Sequence, residues 1–466
     1  MVSRKDNTYS LLRRLASQNI LGIIVLASFG VVGVLLVTRS MAATPYISSE
    51  AESGTLTSPA VSVADGTASG GTAVRFGVPV TQSSGFVHPG IHLNRPQLDF
   101  VKARTSQEPW LSAFNKVKSN IYSRSTRVPA PVTSVECGNG AQKARQIGCA
   151  ALQGDAVAAY NNALLWYYTG DQAYASKAIS FMNAWSSTLQ QIPWNGTELY
   201  GNNKLVAGWA GANWTRAAEI IRYSNAGWSS ADIGRFESML TTKFLPITID
   251  GWTGGGFNWM TLLADVTMSI GVFTNNRATF DNGVGDWRVA VPAHVYTTSD
   301  GATPIKAPYG NSNITTYWNG ATTFNNGQTQ ETCRDLGHTG MGLASIFTAA
   351  ETARIQGIDL YTEQQPRLTA ALELQSRLIE MRTAKDADPN YAIPSTICGG
   401  ALNWGGAAAK MTGDIAHNHY VNRKGLSLPK LDAFVKQYRP LPFGTSDLHM
   451  QNETLTNADS GGVPAQ

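Results

Sequence analysis

The stretch Gln328–Gln356, QTQETCRDLGHTGMGLASIFTAAETARIQ, opens with polar and charged groups and runs into small and apolar ones. Leu336, Gly340, Leu343, Phe347 and Ala350 recur at helical spacing, which predicts a helix with one buried stripe. If that helix reaches back to Glu331, then Arg334 and His338 stand one turn apart on a shared face, with Glu331 beside them. An Arg, a His and a carboxylate at one helix end suit an anionic substrate.

On both sides of this stretch the apolar residues keep a helical period. Upstream, His88-Pro89-Gly90-Ile91-His92-Leu93 leads into a helix around Arg95–Arg104. Val157, Tyr160, Leu164 and Tyr167 share one face of the next, which Gly170 ends. Tyr174, Ala178, Met182 and Trp185 mark another. Trp214, Ala218 and Ile221 follow, then Ile233, Phe236 and Leu240, then Leu262, Val266, Ile270 and Phe273. Downstream, Leu368–Met381 and Leu431–Tyr438 complete the series. The connections are long and rich in Gly, Asn, Trp and Tyr, notably Pro193–Gly211 and Asp300–Thr329. Many mid-length helices joined in pairs predict a mainly α fold, an incomplete (α/α) toroid of helical hairpins. Such a toroid opens a cleft at one rim, where long loops and helix N-termini meet.

The 466 residues suffice for one large domain or two ordinary ones. Charged residues make up 15 %, below the usual quarter, while Gly, Trp and Tyr are plentiful. That balance suits an exported carbohydrate-active protein, although most of the 12 Trp are expected in the core. A net charge of +4 without any Lys/Arg run argues against a nucleic-acid partner.

Residues 1–43 carry Arg4, Lys5, Arg13 and Arg14 ahead of the apolar run Ile20–Val37. A positive flank before an apolar run is an export signal, and this run is just long enough to span a bilayer. Ser40-Met41-Ala42 offers a small-x-small cleavage site. The segment therefore reads as a signal peptide or, uncleaved, as a membrane anchor, and either way the rest of the chain lies outside the cytoplasm. Residues 44–87 form a Ser/Thr/Gly-rich linker with short β-type runs at Ala60–Val63 and Thr72–Phe76. Through Glu50-Ala51-Glu52-Ser53 and Ala68-Ser69-Gly70-Gly71 this linker resembles the opening of β-sandwich carbohydrate-binding modules, truncated before most of their strands.

Four cysteines occur, none in a CxxC spacing, so zinc and thioredoxin-type chemistry are not expected. In an exported domain an even count favours disulfides. Cys137 and Cys149 bracket a polar loop and form the natural local pair; Cys333–Cys398 would then be the long-range pair, and other pairings stay open at the level of sequence. No metal-ligand spacing stands out, and no cofactor is implied.

Four motifs coincide within residues 88–466. Asp155-Ala156, Ala158-Ala159-Tyr160 and Tyr167-Tyr168-Thr169-Gly170-Asp171 resemble the first helical hairpin of the alginate-lyase-like polysaccharide lyases. Gly256-Phe257-Asn258-Trp259 is similar to their Asn-bearing catalytic segment, and Glu331, Arg334-Asp335 and Gly337-His338 are similar to their Arg/His helix. His417-Asn418-His419-Tyr420, Asn422-Arg423 and Glu453-Thr454-Leu455-Thr456 resemble the C-terminal part of the same domain. The resemblance implies an (α/α) toroid and β-elimination on a uronic-acid polysaccharide, an anionic partner, by a protein expected to be monomeric.

β-Elimination removes the weakly acidic C5 proton of a uronate, and neutralising the adjacent carboxylate makes the carbanion-like intermediate accessible. By resemblance Asn258 neutralises that carboxylate, Arg334 pairs with it, and His338 is base or neutraliser. The plain alternatives are an N-cap for Asn258, an ion pair with Glu331 or Asp335 for Arg334, and a core position for His338. Two departures bear on the base. The family places a His directly after the Asn, where this chain has Trp259. It also places a Tyr two turns after the Arg, where this chain has Gly340 and Met341. His419 and Tyr420 are the expected substitutes, with Tyr317 and Tyr309 as further phenols. Trp259, Trp214, Tyr317 and Trp318 are the expected sugar-stacking residues, with Arg423 as a further substrate contact. A glycoside hydrolase using two of Glu331, Asp335, Asp265 and Asp414, or a non-catalytic cell-surface sugar-binding protein, are the competing readings.

Overall fold

The chain separates into two units, Met1–Gln82 and Ser83–Gln466. The computed structural model describes residues 85–249, 257–307, 313–405, 412–442 and 448–465, together with 60–64 and 72–76. In the first unit β1 (Ala60–Ala64) and β2 (Thr72–Phe76) pair antiparallel, with Ala60 opposite Phe76 and Ala64 opposite Thr72. The apolar run Ile20–Val37, the cleavage site and the module-like motifs lie outside the described residues. Among the described residues no helix is long and apolar enough to cross a membrane.

The second unit begins with α1 (Arg95–Lys102), opened by a capping box between Asn94 and Gln97, and α2 (Trp110–Ser119). A short ladder of β3 (Glu136–Cys137) with β4 (Gln146–Ile147) follows, closed by the Cys137–Cys149 disulfide. Then come α3 (Cys149–Thr169), α4 (Gln172–Thr188), α5 (Asn203–Arg222), α6 (Ser230–Met239), α7 (Phe257–Phe273) and α8 (Arg277–His294). The series ends with α9 (Leu336–Ile355), α10 (Gln365–Ala387) and α11 (Pro429–Tyr438).

The inner row runs α3–α5–α7–α9, each packed on the next, while α4 covers α3 and α8 covers α7. This is the incomplete (α/α) toroid of hairpins. Inner helices are buried on every side. Accordingly α9 hides Thr339, Ser345, Thr348 and Thr352 as fully as Leu343 and Phe347. The single stripe expected from the sequence is thus too narrow. Phe181, Phe236, Phe244 and Phe273 are fully buried between the rows, each contributing roughly 1.5–3 kcal/mol.

Two boundaries differ from expectation. The loop expected over Pro193–Gly211 is helical from Asn203 onward. More importantly, α8 is a helix that periodicity does not announce, because Gly283, Gly285 and Pro292 interrupt its sequence. Tertiary packing accounts for one of them. A Cβ on Gly283 would lie 2.6 Å from the Met268 backbone nitrogen, so glycine is what lets α8 lie close against α7.

Candidate active site

The helix at the centre of the site starts later than the sequence suggests. α9 begins at Leu336, and Asp335 is its N-cap, accepting from the His338 backbone N–H at 2.8 Å. Leu336 and Gly337 donate their N–H groups to the carbonyls of Asn403 and Trp404 at 2.9 and 3.1 Å. The first turn therefore has its donors satisfied by the protein. Glu331 and Arg334 lie not on this helix but in the turn before it, where Arg334 N–H bonds the Glu331 carbonyl at 2.9 Å. The shared helical face is corrected to a turn meeting a helix start. Cys333, inside that turn, is tied to Cys398 across a Cα–Cα distance of 5.2 Å, so both expected disulfides are present.

This turn gathers charge. Arg334, half-exposed, stands 3.6 Å from the buried Glu331 carboxylate. His338 Nδ1 lies 2.6 Å from Asp335 Oδ2. Burial pulls Asp335 upward, but its bonds to His338 and the Arg334 charge outweigh it and hold the carboxyl below its usual range. An ionised carboxylate only accepts, so Nδ1 is the donor in this bond, and in the neutral ring Nε2 is the acceptor. Burial lifts Glu331 above its usual range, against the opposing pull of Arg334, His338 and the Asn258 backbone amide. Glu331 is thus the common neighbour of the three residues that the sequence singled out.

Asn258 is the second residue of α7 rather than its N-cap. It is 3 % exposed, and its side-chain oxygen has no hydrogen-bond partner among the described residues. A buried amide oxygen without a partner costs about 1–3 kcal/mol unless a ligand satisfies it. Trp259, the next residue, is half-buried.

A residue absent from the sequence reading stands beside Asn258. His294, the last of α8, is 3 % exposed, and neither ring nitrogen has a partner among the described residues. A Cβ on Gly342 of α9 would lie 2.5 Å from its Nε2 and 3.3 Å from the Asn258 Cβ. Burial lowers the His294 pKa to about 4, so the ring is neutral at pH 7. The Gln330 backbone N–H holds the His294 carbonyl at 2.7 Å, joining the end of α8 to the turn before α9. The signal for His294 in the sequence is only a His closing a helix that itself goes unannounced.

Other expected residues lie elsewhere. His419 stacks on Tyr361 with centroids 3.7 Å apart and receives Arg423 at Nδ1 at 2.9 Å. Arg423 also stands 3.7 Å from Glu351. Burial and the Arg423 charge lower the His419 pKa to about 3. Tyr420 is buried, donates its hydroxyl to the Tyr361 carbonyl at 3.0 Å, and has its pKa raised by burial. Glu351 is thirteen residues along α9 from His338, about 20 Å at the helical rise. The His419/Tyr420/Arg423 cluster therefore belongs to the other end of α9, not across from Asn258. Trp214 is a core residue against Trp185 and Phe236, and Tyr317 and Trp318 are buried in a satellite core with Met260 and Tyr296. None of the three presents a face to a sugar. Tyr309 lies outside the described residues. Met341, at the position where the family carries its Tyr, is buried with Leu448 and Met450, and Trp209 of α5 packs against them.

A profile of the alginate lyase family matches residues 122–383, more than half of the chain. No curated protein matches it by sequence. Among solved structures, alginate lyase A1-III from a Sphingomonas species is 14 % identical with a TM-score of 0.53, covering 82 % of this chain and 99 % of that one. A variant of that enzyme complexed with a tetrasaccharide is 15 % identical with a TM-score of 0.54, covering 81 % and 98 %. An alginate lyase from Bacteroides ovatus is 13 % identical with a TM-score of 0.50, covering 80 % and 100 %.

Proposed function

The chain belongs to the alginate lyase family and is a polysaccharide lyase; we propose that it cleaves a uronic-acid polysaccharide by β-elimination where Asn258, Arg334 and His338 meet. The observation that carries this reading is that the buried Asn258 meets, through its backbone amide at Glu331, the turn that holds a half-exposed arginine and leads into an Asp-oriented histidine. Its side-chain NH2 can donate to a carboxylate while its unpartnered oxygen accepts from a sugar hydroxyl. Arg334 pairs with the substrate carboxylate and Asn258 hydrogen-bonds it, which stabilises charge as C5 loses its proton. His338 Nε2 accepts that proton, with Asp335 fixing the tautomer. The C4–O bond breaks, its electron pair leaves with the oxygen, and the C5 pair becomes the C4=C5 double bond. The leaving oxygen takes the proton from His338. Trp259 flanks Asn258 as the stacking surface.

The hydrolase reading has less support. Asp265 and Asp414 are buried in ion pairs with Arg216 and Arg439. Glu331 and Asp335 share one turn, with Asp335 bonded to His338, so they do not flank a single glycosidic bond. Export is supported by the charged flank and apolar run of the sequence, and the two disulfides suit an oxidising compartment. Protease added to intact cells with a permeable envelope is expected to digest the catalytic unit, and full protection contradicts export.

Purified protein offered a panel of polyuronates should generate the ultraviolet absorbance of a conjugated unsaturated uronate. Reducing ends without that absorbance indicate a hydrolase, and neither signal a binder. Asn258→Ala should lower kcat by about 100-fold or more while leaving thermal stability nearly unchanged. Retained turnover removes Asn258 from the mechanism.

A further inference from the structure

We propose that His294, as a neutral imidazole, is a catalytic hydrogen-bond donor to the uronate carboxylate, sharing with Asn258 a two-donor cradle that Gly342 keeps clear. This rests on the lyase reading above and adds to it a residue from α8.

The geometry has three parts. His294 and Asn258 come from adjacent antiparallel helices, α8 ending and α7 beginning at the same rim. Gly342 of α9 faces both, and any Cβ there would intrude on the His294 ring and press on Asn258. Both side chains are nearly inaccessible, yet Asn258 Oδ1 and His294 Nδ1 and Nε2 have no partner among the described residues. Buried polar atoms are normally satisfied, and these point to a ligand with both kinds of group: the one imidazole N–H needs an acceptor, while Asn258 Oδ1 and the other ring nitrogen accept and need a donor.

A uronic acid offers both: its carboxylate accepts from the imidazole N–H and the Asn258 amide NH2, and its ring hydroxyls donate to Asn258 Oδ1. A neutral imidazole has one N–H to give, and burial keeps the ring from charging at pH 7. A neutral donor suits this role, because it strengthens its bond as the carboxylate acquires enediolate charge without first pairing tightly with the ground state. A histidine held neutral for this purpose is a known solution to stabilising an enediolate. The proton acceptor remains His338, the imidazole with an orienting carboxylate, which His294 lacks among the described residues.

The test is a pair of substitutions assayed by unsaturated-uronate absorbance, with Asn258→Ala alongside. His294→Leu fills the space without a donor, and His294→Gln keeps an uncharged N–H. The leucine variant should lose about 100-fold in kcat, and the glutamine variant should recover to within about tenfold of wild type, with an unchanged pH profile and thermal unfolding near wild type. Near-wild-type kcat for His294→Leu reduces His294 to packing and overturns the proposal. A glutamine variant as inactive as the leucine one makes the ring a proton acceptor and overturns it equally. If His294→Leu does not fold, Gly342→Ala replaces it. Its methyl intrudes between the ring and Asn258, and undiminished turnover counts against the cradle. If the wild type forms no unsaturated product, the lyase reading fails by itself. Calorimetric binding of a saturated oligouronate then decides: affinity about tenfold weaker for the leucine variant than for wild type and glutamine supports the donor, and equal affinity rejects it.

Discussion

At the scale of single residues, one side-chain type takes opposite roles according to its neighbours. His338 is tied to Asp335 through Nδ1, whereas His419 lies under Tyr361 with Arg423 on its ring nitrogen. Tyr420, attractive in sequence because it follows His419, has its hydroxyl committed to a backbone carbonyl. Tyr420→Phe should therefore cost about 1 kcal/mol of stability and leave turnover intact. Denaturant unfolding beside the absorbance assay measures both, and a large loss of kcat at unchanged stability would restore the phenol to the mechanism. Asp335→Asn addresses the other side. With no carboxylate to hold Nδ1–H, His338 loses its tautomer and its orientation. We expect kcat to fall with KM little changed, and a wild-type kcat in steady-state kinetics excludes Asp335 as a positioning residue.

At the scale of elements, the candidate site lies where helix ends meet. The start of α7 brings Asn258, the end of α8 brings His294, and the turn before α9 brings Arg334 and Glu331. The α9 start is anchored twice: its first N–H groups bond Asn403 and Trp404, and Cys333–Cys398 ties the preceding turn to the same segment. Removing this bridge with Cys398→Ser, together with Cys333→Ser, should lower stability by about 2–4 kcal/mol. It should also reduce kcat, because Arg334 follows the freed residue directly. Thermal unfolding and turnover are the readouts, and loss of stability without loss of turnover would make the bridge purely structural.

At the scale of the whole molecule, the toroid buries many ionisable groups, so its stability depends on pH. Glu453, fully buried, accepts from Thr412 Oγ1 at 2.7 Å and from the Gly413 N–H at 3.0 Å. Burial, and then the neighbouring Asp414 carboxyl, push its pKa up to about 7. The unfolded carboxyl ionises near 4.5, so the folded state binds the extra proton between these values. Its contribution is complete below 4.5 and is lost as pH rises toward 7, by on the order of 3 kcal/mol. Glu453→Gln should remove this dependence: measured from pH 4.5 to 7, stability of the variant relative to wild type should climb. A difference independent of pH would place the Glu453 pKa near its ordinary value.

Most of the helical series and both disulfide pairs are legible in the sequence, and the family resemblance singles out Asn258, Arg334 and His338 as candidates. Apolar period marks Val157–Tyr167 and Leu262–Phe273, and the short spacing of Cys137 and Cys149 marks the local disulfide. What needs the tertiary structure is proximity between helix ends far apart in the chain. His294 meets Asn258 only because Gly283 and Gly342 let α8, α7 and α9 approach, and no period announces α8. His419 and Tyr420 fall away from the site because α9 is long and they pack at its far end. Trp214 and Trp318 are core residues because burial of an aromatic ring is settled by what surrounds it, and residue type alone does not reveal those neighbours.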